Sequence, residues 1–374
     1  MRIAYMLTSL GIGGAERQVV ELAEGMKARG HAVALMVLEA ERSQEWPTSL
    51  EVKRLEISKT PAGLLAGLAR ARRFLRGFKP DLIHSHTFPA NMAARLLRLI
   101  YPAPVLATIH NVFEGSGARM AAYRVTDPLC CRTTAVSQAA AERFVRLKAV
   151  PARKCVVLTN GIDTAEFAPN PTRRSRIRTA MAAGGEFIWL AAGRIVAAKD
   201  YPNLLRAFVA VRAGESTARL WIAGEATEPE AGAVKALADE LGVGNCVRWL
   251  GLRRDMAGLL DAADGFVLSS AWEGMPLAVG EAMAMEKAVA ATDVGGVREL
   301  VGEAGVMVPA RRPDKLAGAM LDLMRTTPEE RGRLGRGARE RIKSQFSMEG
   351  KTGEWEALYG KLIEAEKDSL RGGW

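Results

Sequence analysis

Cysteine and histidine are scarce, with four of each in 374 residues. The thiols are Cys130, Cys131, Cys155 and Cys246. None lies in a Cys-x-x-Cys pair, and the adjacent Cys130 and Cys131 make a poor disulfide framework. This argues against a disulfide scaffold; reduced thiols in a cytosolic chain are expected. The histidines are His31, His84, His86 and His110. His84 and His86 share a strand face as a metal pair would, but no third or fourth ligand accompanies them. No run of 18 or more uncharged apolar residues occurs, so no transmembrane helix is expected. The opening MRIAYMLTSLGIGGAER has no basic stretch before a long apolar core, and its apolar run ends in glycines, so it does not read as a signal peptide. Low-complexity tracts, short repeats and any Asp-x-Asp are also missing.

What remains is an ordinary globular composition, 48% apolar and 25% charged. The length makes two domains the natural division. The net charge of +10 is uneven. Residues 1–165 carry 23 Lys and Arg against 13 Asp and Glu, whereas residues 166–374 carry 29 of each. Residues 60–154 alone hold 15 basic and 4 acidic side chains. A one-sided basic surface implies an anionic partner: membrane lipid, a phosphate-bearing substrate or nucleic acid. No nucleic-acid-reading motif is present, so nucleic acid is not expected.

The first half alternates strand-like and helix-like segments. RIAYMLTSL, HAVALMVL, VKRLEI, DLIHSH, VLATIH, TTAVS and KCVVLTNG read as strands, with amphipathic helices between most of them. After a polar connector, residues 163–185, six more strands follow: FIWLAAG, ARLWIAG, VRWLG, GFVLSS, AVAATD and GVMVP. Near-continuous apolar strands with helical crossovers mean parallel sheets covered on both faces. The expected fold is therefore α/β, with two Rossmann-like doubly wound domains, residues 1–165 and 166–352, facing a central cleft. A last helix, about residues 353–374, is placed to pack back on the first domain. Ligands of such sheets bind beyond the carboxyl ends of the strands, so the residues just after strands matter most. GIGGA after the first strand lacks the G-x-G-x-x-G spacing, and no acidic ribose partner ends the second strand, so NAD is not expected.

Two strand-end stretches carry chemistry. EGMPLAVGEAMA, residues 273–284, puts Glu273 in a loop, Gly274 and Pro276 at a helix start, and Glu281 inside the helix. Unpaired N–H groups and the positive dipole end suit a diphosphate, while Glu281 suits a ribose diol. GRIVAAKD, residues 193–200, sets Arg194 and Lys199 at a strand end, two cations suited to a departing nucleoside diphosphate. Taken singly, each stretch also reads as a capped helix or as solvated surface charge.

These stretches, with GIGGAERQ, HSHT, TIHN, AVSQ, LTNGID, WIAGE, WLGLRRDM and ATDVGGVREL, resemble along almost the whole chain the GT-B glycosyltransferases of family 4 (glycosyl transferases group 1). The resemblance implies a retaining transfer from a nucleotide sugar to an acceptor hydroxyl, with no covalent protein nucleophile. In this scheme the leaving phosphate helps to deprotonate the acceptor. It assigns Gly13 and Gly14 to a loop approaching the donor phosphate, His110 to the donor sugar, and Arg194 with Lys199 to the diphosphate. Glu273 is assigned to sugar hydroxyls; Gly274, Met275, Pro276 and Leu277 to the segment along sugar and phosphate; Glu281 to the ribose. Main chain around Leu252 and Arg253 would read the base, and Glu299 would close the rear of the site.

The missing Asp-x-Asp fits catalysis without a metal, the two cations standing in for it, and no cofactor is expected. UDP is the expected nucleotide, GDP the next. The basic first half, with Arg70, Arg72, Arg73 and Arg76 in one helix, Arg95 and Arg98 in the next, and Arg143, Arg146 and Lys148 in a third, fits a lipid-linked or glycan acceptor at an anionic membrane surface. The implied place is the cytosolic face of a bacterial inner membrane, in surface polysaccharide or lipopolysaccharide synthesis. Two alternatives from other classes are a nucleotide-sugar 2-epimerase of the same fold and a non-catalytic basic binding protein.

Overall fold

A computed structural model describes residues 1–40, 45–58, 60–226 and 228–371. The chain forms two compact units. One runs from Met1 to Gly161 and takes up the chain again from Met348; the other is Ile162–Ser347. These divisions fall a few residues before the expected 165/166 and 352/353.

The first unit is built on a seven-stranded parallel sheet of β1 (Arg2–Leu7), β2 (Ala32–Val37), β3 (Glu51–Arg54), β4 (Leu82–His86), β5 (Val105–Ile109), β6 (Arg132–Ala135) and β7 (Cys155–Val157). Their order is β3-β2-β1-β4-β5-β6-β7. The chain starts in the middle and winds outwards both ways, so the crossovers part between β1 and β4. Every residue of β4 and β5 is buried, as helices on both faces require.

The helix Met348–Arg371 completes this unit. Trp355, Tyr359, Leu362 and Ile363 join the core formed by Leu22 and Met26 of the helix Gly14–Ala28 with Ile3, Tyr5 and Leu7. Each such buried side chain contributes about 1.5–3 kcal/mol. The hydroxyl of fully buried Tyr359 lies 3.1 Å from that of Tyr5 and 2.7 Å from Nδ1 of His84. Arg29 and His31 both pair with Glu356 at the rim.

The second unit has β8 (Phe187–Ala192), β9 (Ala218–Ala223), β10 (Val247–Gly251), β11 (Gly265–Leu268), β12 (Ala288–Thr292) and β13 (Val306–Val308). The order is β10-β9-β8-β11-β12-β13, again all parallel. The winding reverses between β8 and β11. Topology alone therefore sets the segment after β8 beside the segment after β11.

The expected connector, residues 163–185, is not a free linker. It contains the helix Pro171–Ala180, capped by Asn170, whose side chain accepts the Arg173 N–H at 3.0 Å. This helix buries no residue fully. Charge holds it instead, against the helix Met256–Ala262. Arg173 pairs with the buried Asp261; Arg174 and Arg178 pair with Asp264 at 2.5 and 3.1 Å. Arg174 also donates to the carbonyls of Asp261 and Ala263, at 2.7 and 2.8 Å, where that helix ends. Without an apolar stripe the segment carries no 3.6-residue signal, which is why it reads as a linker.

Asp261 also accepts the Asn170 N–H at 3.0 Å. Asp261→Ala should therefore cost about 3–5 kcal/mol, as removing one partner of a buried pair does. Urea unfolding of variant and wild type measures this, and a loss under about 1 kcal/mol would mean that other contacts dock the helix.

Candidate active site

In the second unit the chain leaves β8 through Gly193, whose φ of +151° favours glycine. A Cβ there would lie 2.7 Å from Cε of Lys199, and one on Gly224 would lie 1.9 Å from the Gly193 carbonyl oxygen. Tyr201 donates its hydroxyl to that carbonyl at 2.7 Å. The loop is thus pressed against the end of β9, where the Ile195 N–H donates to the Glu225 carbonyl at 2.9 Å. Lys199 ends a short 3-10 turn, Ala197–Lys199.

The loop after β11 locks onto it. Ser269 donates to the Lys199 carbonyl at 2.8 Å, and the Ala271 N–H donates to the Ala198 carbonyl at 2.8 Å. Glu273, only 8% exposed, receives both the Ser270 hydroxyl at 2.7 Å and the Lys199 ammonium at 2.6 Å, on the same oxygen. The loop after β12 joins in. Thr292 donates to the Ser270 carbonyl at 2.7 Å, and the Gly296 N–H to the Gly274 carbonyl at 2.8 Å. Lys199 and Glu273 are therefore already paired with each other. Arg194 is exposed and has no hydrogen-bond or ion-pair partner among the described residues.

Glu273 leads through buried Met275 and Pro276 into the helix Leu277–Ala284. The helix start has Pro276 as the residue before its first turn, and the Pro276 side chain offers no cap bond. Its first N–H groups thus point toward the strand-end loops with the dipole behind them. Glu281 lies in the second turn and is 6% exposed. Glu299 is in the first turn of the helix Val297–Val301, half-buried, with its carbonyl taking a hydrogen bond from Arg341 at 2.7 Å. Leu252 and Arg253 follow β10, where the Gly251 carbonyl accepts the Gly224 N–H at 2.8 Å. The Arg253 side chain is engaged by Asp255 at 2.7 and 2.6 Å.

In the first unit, Gly13 is the extended residue before the helix Gly14–Ala28, which has no side-chain cap bond. Glu16 leans over that end: a Cβ on Gly13 would lie 2.5 Å from its Oε2. The helix start at Gly13 and Gly14 therefore already has a carboxylate beside it.

His110 follows β5. Its Nε2 lies 3.0 Å from Nδ1 of His86, so one imidazole donates and the other accepts. Burial pushes His110 down to about 4. Burial and the neighbouring imidazoles hold His84 and His86 well below the usual range. All three rings are neutral at physiological pH. His84 is spent on Tyr359 and, through Nε2, on Thr108 at 2.7 Å. Among the described residues no group of three or more His, Cys, Asp or Glu is placed to hold a metal ion.

Glu114 escaped the sequence reading. Burial raises its carboxyl to about 7, against the lowering pull of the Tyr123 hydroxyl, the His110 N–H and Arg119. The signal was a glutamate four residues after a strand-end histidine, in TIHNVFEG. Two parts of the expected basic surface are structural. Arg95 is fully buried, donating to Tyr123, Thr126 and Thr133, and Arg98 pairs with Glu366. Arg70 and Arg72 turn inward to backbone carbonyls.

Comparison with known proteins joins these observations. The family described as Glycosyltransferase Family 4 matches residues 12–166, and that described as Glycosyl transferases group 1 matches residues 186–326. A D-inositol 3-phosphate glycosyltransferase of Saccharomonospora viridis is 28% identical, over 94% of this chain and 90% of its own. The lipopolysaccharide core biosynthesis glycosyltransferase LpsD of Rhizobium meliloti is 27% identical, over 94% and 96%. Among solved structures, Anabaena HepE in complex with UDP and glucose superposes with a TM-score of 0.86 at 19% identity, covering 96% of this chain and all of that one. Two parallel-sheet units with strand-end loops built around Lys199 and Glu273, together with both family matches, make this chain a GT-B glycosyltransferase of family 4.

Proposed function

We propose that the protein is a retaining, metal-independent glycosyltransferase. It moves a hexosyl group from a nucleotide sugar, a UDP-sugar first and a GDP-sugar next, to a hydroxyl of a glycan or lipid-linked acceptor in bacterial cell-surface polysaccharide or lipopolysaccharide synthesis. The carrying observation is the strand-end arrangement of the second unit: Arg194, exposed and without a partner among the described residues, the Lys199–Glu273 pair, and the helix start at Leu277, whose N-cap Pro276 makes no side-chain cap bond. Arg194, without a partner among the described residues, can bind a diphosphate bidentately; Lys199 shares its loop with Arg194 and its carboxylate partner Glu273 with Ser270. Charge developing on the leaving diphosphate would be met by Arg194, with Lys199 turning from Glu273 to share it. Glu273, Gly274, Met275 and Leu277 would line the sugar, Glu281 the ribose, and Leu252 with Arg253 the base. The UDP complex of Anabaena HepE and the lipopolysaccharide role of LpsD support the donor and the pathway.

A membrane-facing acceptor side is part of the proposal. Among the described residues no helix is long and apolar enough to cross a membrane. The outer face of the helix Pro61–Phe78 exposes Leu65, Ala69, Arg73 and Arg76, and Leu65 is 69% exposed. Leu99 and Ile100 are exposed near it, since Arg72 donates to the Ile100 carbonyl at 2.9 Å. Arg146, Leu147 and Lys148 are exposed together at another edge of the unit. Apolar tips flanked by Arg and Lys suit peripheral docking on anionic lipid at the cytosolic face.

Thermal shift with UDP, GDP, ADP and their sugars, without divalent metal, tests the donor side. One nucleotide should raise the Tm of wild type, and Arg194→Ala should weaken it about 10–100-fold, the value of one or two charge-assisted hydrogen bonds. No shift with any nucleotide, or a shift only with magnesium, would overturn this reading. Flotation with vesicles containing phosphatidylglycerol tests the membrane side. Binding should fall with salt, and the R73E/R76E double variant should lose about tenfold or more, at about 1 kcal/mol per basic residue. Equal binding to neutral vesicles would contradict it.

A further inference from the structure

We infer that Glu114 is the residue of the first unit that binds the acceptor sugar, accepting a hydroxyl proton on its carboxylate while the exposed ring of Phe113 beside it takes the sugar's apolar face. The inference rests on the transferase reading above and adds to it an acceptor residue.

A directed chain of hydrogen bonds ends on this carboxyl. Ser85 donates to Oδ1 of buried Asn91 at 2.7 Å, and the Thr108 carbonyl, which can only accept, fixes the orientation of the amide. Nδ2 of Asn91 then donates to the Thr108 carbonyl at 3.0 Å and to the Tyr123 hydroxyl oxygen at 2.9 Å. An amide nitrogen only donates, so Tyr123 must accept there, and its own proton points to Oε2 of Glu114, 2.7 Å away. The other carboxylate oxygen, Oε1, has among the described residues only the His110 N–H, at 3.4 Å. That contact is too long to satisfy it. Glu114 is thus held by one oxygen and retains accepting capacity on the other.

Among the described residues no cation forms an ion pair with it. Arg119 pulls its carboxyl down electrostatically but donates to the Glu114 backbone carbonyl at 3.0 Å and lies over the Phe88 ring. Arg95 is committed to Tyr123, Thr126 and Thr133, and Arg143 lies over the Phe113 ring at 5.8 Å. His110 and His86 are neutral neighbours. A loop-fixing role would be met as well by an uncharged amide. A desolvated carboxyl with a preset donor on one oxygen and an exposed aromatic at its side, 49% accessible, is instead the pairing that grips a pyranose by hydroxyl and ring face.

The carboxyl titrates near 7, so acceptor binding carries a pH signature. The ionised form, which accepts the hydroxyl proton, grows in as pH rises through 7. Acceptor KM should therefore fall from pH 6 to pH 8, with donor KM unchanged. Transfer from UDP-glucose, GDP-mannose and ADP-glucose to octyl glucoside, galactoside and mannoside, measured over pH 5.5–9, provides the test. Glu114→Gln should raise acceptor KM at pH 8 at least tenfold and abolish its pH dependence, while nucleotide-induced Tm shifts persist. Tyr123→Phe, which removes the hydrogen bond favouring the charged form, should move the acceptor profile to higher pH, which a merely structural role would not do. Wild-type acceptor KM and pH profile in Glu114→Gln would overturn the inference. So would a wild type that hydrolyses a nucleotide sugar yet uses none of the octyl glycosides. A wild type that neither binds nor cleaves any nucleotide sugar would overturn the transferase reading itself.

Discussion

One ion pair organises the second unit. Lys199 and Glu273 come from loops 74 residues apart, and their 2.6 Å contact exists because the winding of the sheet reverses between β8 and β11. The reversal opens a gap at the carboxyl ends of those strands; the pair closes it with polar groups that would otherwise lie buried and uncompensated. Ser270, Ser269 and Thr292 fix the pair by backbone and side-chain bonds. The sheet's handedness, the close approach at Gly193 and Gly224, and the placement of Arg194 all converge on this one contact.

The first unit obeys a different constraint, desolvation. Its strand-end histidines, His84, His86 and His110, pack against one another, His84 also against Tyr359 and Trp355 of the returning helix, while Glu114 sits against the Tyr123 hydroxyl. Burial discharges the imidazoles and pushes the Glu114 carboxyl toward neutrality. The second unit therefore offers fixed charge, while the first offers neutral donors and acceptors with one carboxyl poised to change. A leaving diphosphate calls for the former, and an incoming hydroxyl for the latter.

Most strands were legible because parallel strands buried on both faces write themselves as unbroken apolar runs, and the edge strand β3 by its polar alternation; the segments from RIAYMLTSL to GVMVP correspond to β1 through β13. The strand-end residues were legible for the same reason, since glycines and charges fall where such runs stop. The helix Pro171–Ala180 was hidden because charge rather than an apolar face docks it. Arg95 and Arg98 read as surface charge because sequence does not show that Tyr123, Thr133 and Glu366 come from elsewhere to satisfy them. Glu114 was passed over for a related reason: its place just after the strand-end His110 is visible in sequence, but its character depends on Tyr123 and Asn91, brought to it only by packing.

Hydrogen–deuterium exchange of the full chain with and without UDP tests the central claim most directly, that the strand-end loops around the Lys199–Glu273 pair form the nucleotide site. The account predicts slowed exchange in residues 193–199 and 274–281, the amides that face a bound diphosphate and ribose, with GDP and then ADP as substitutes should UDP not bind. Protection confined to other segments, or none with any of the three nucleotides, would contradict it.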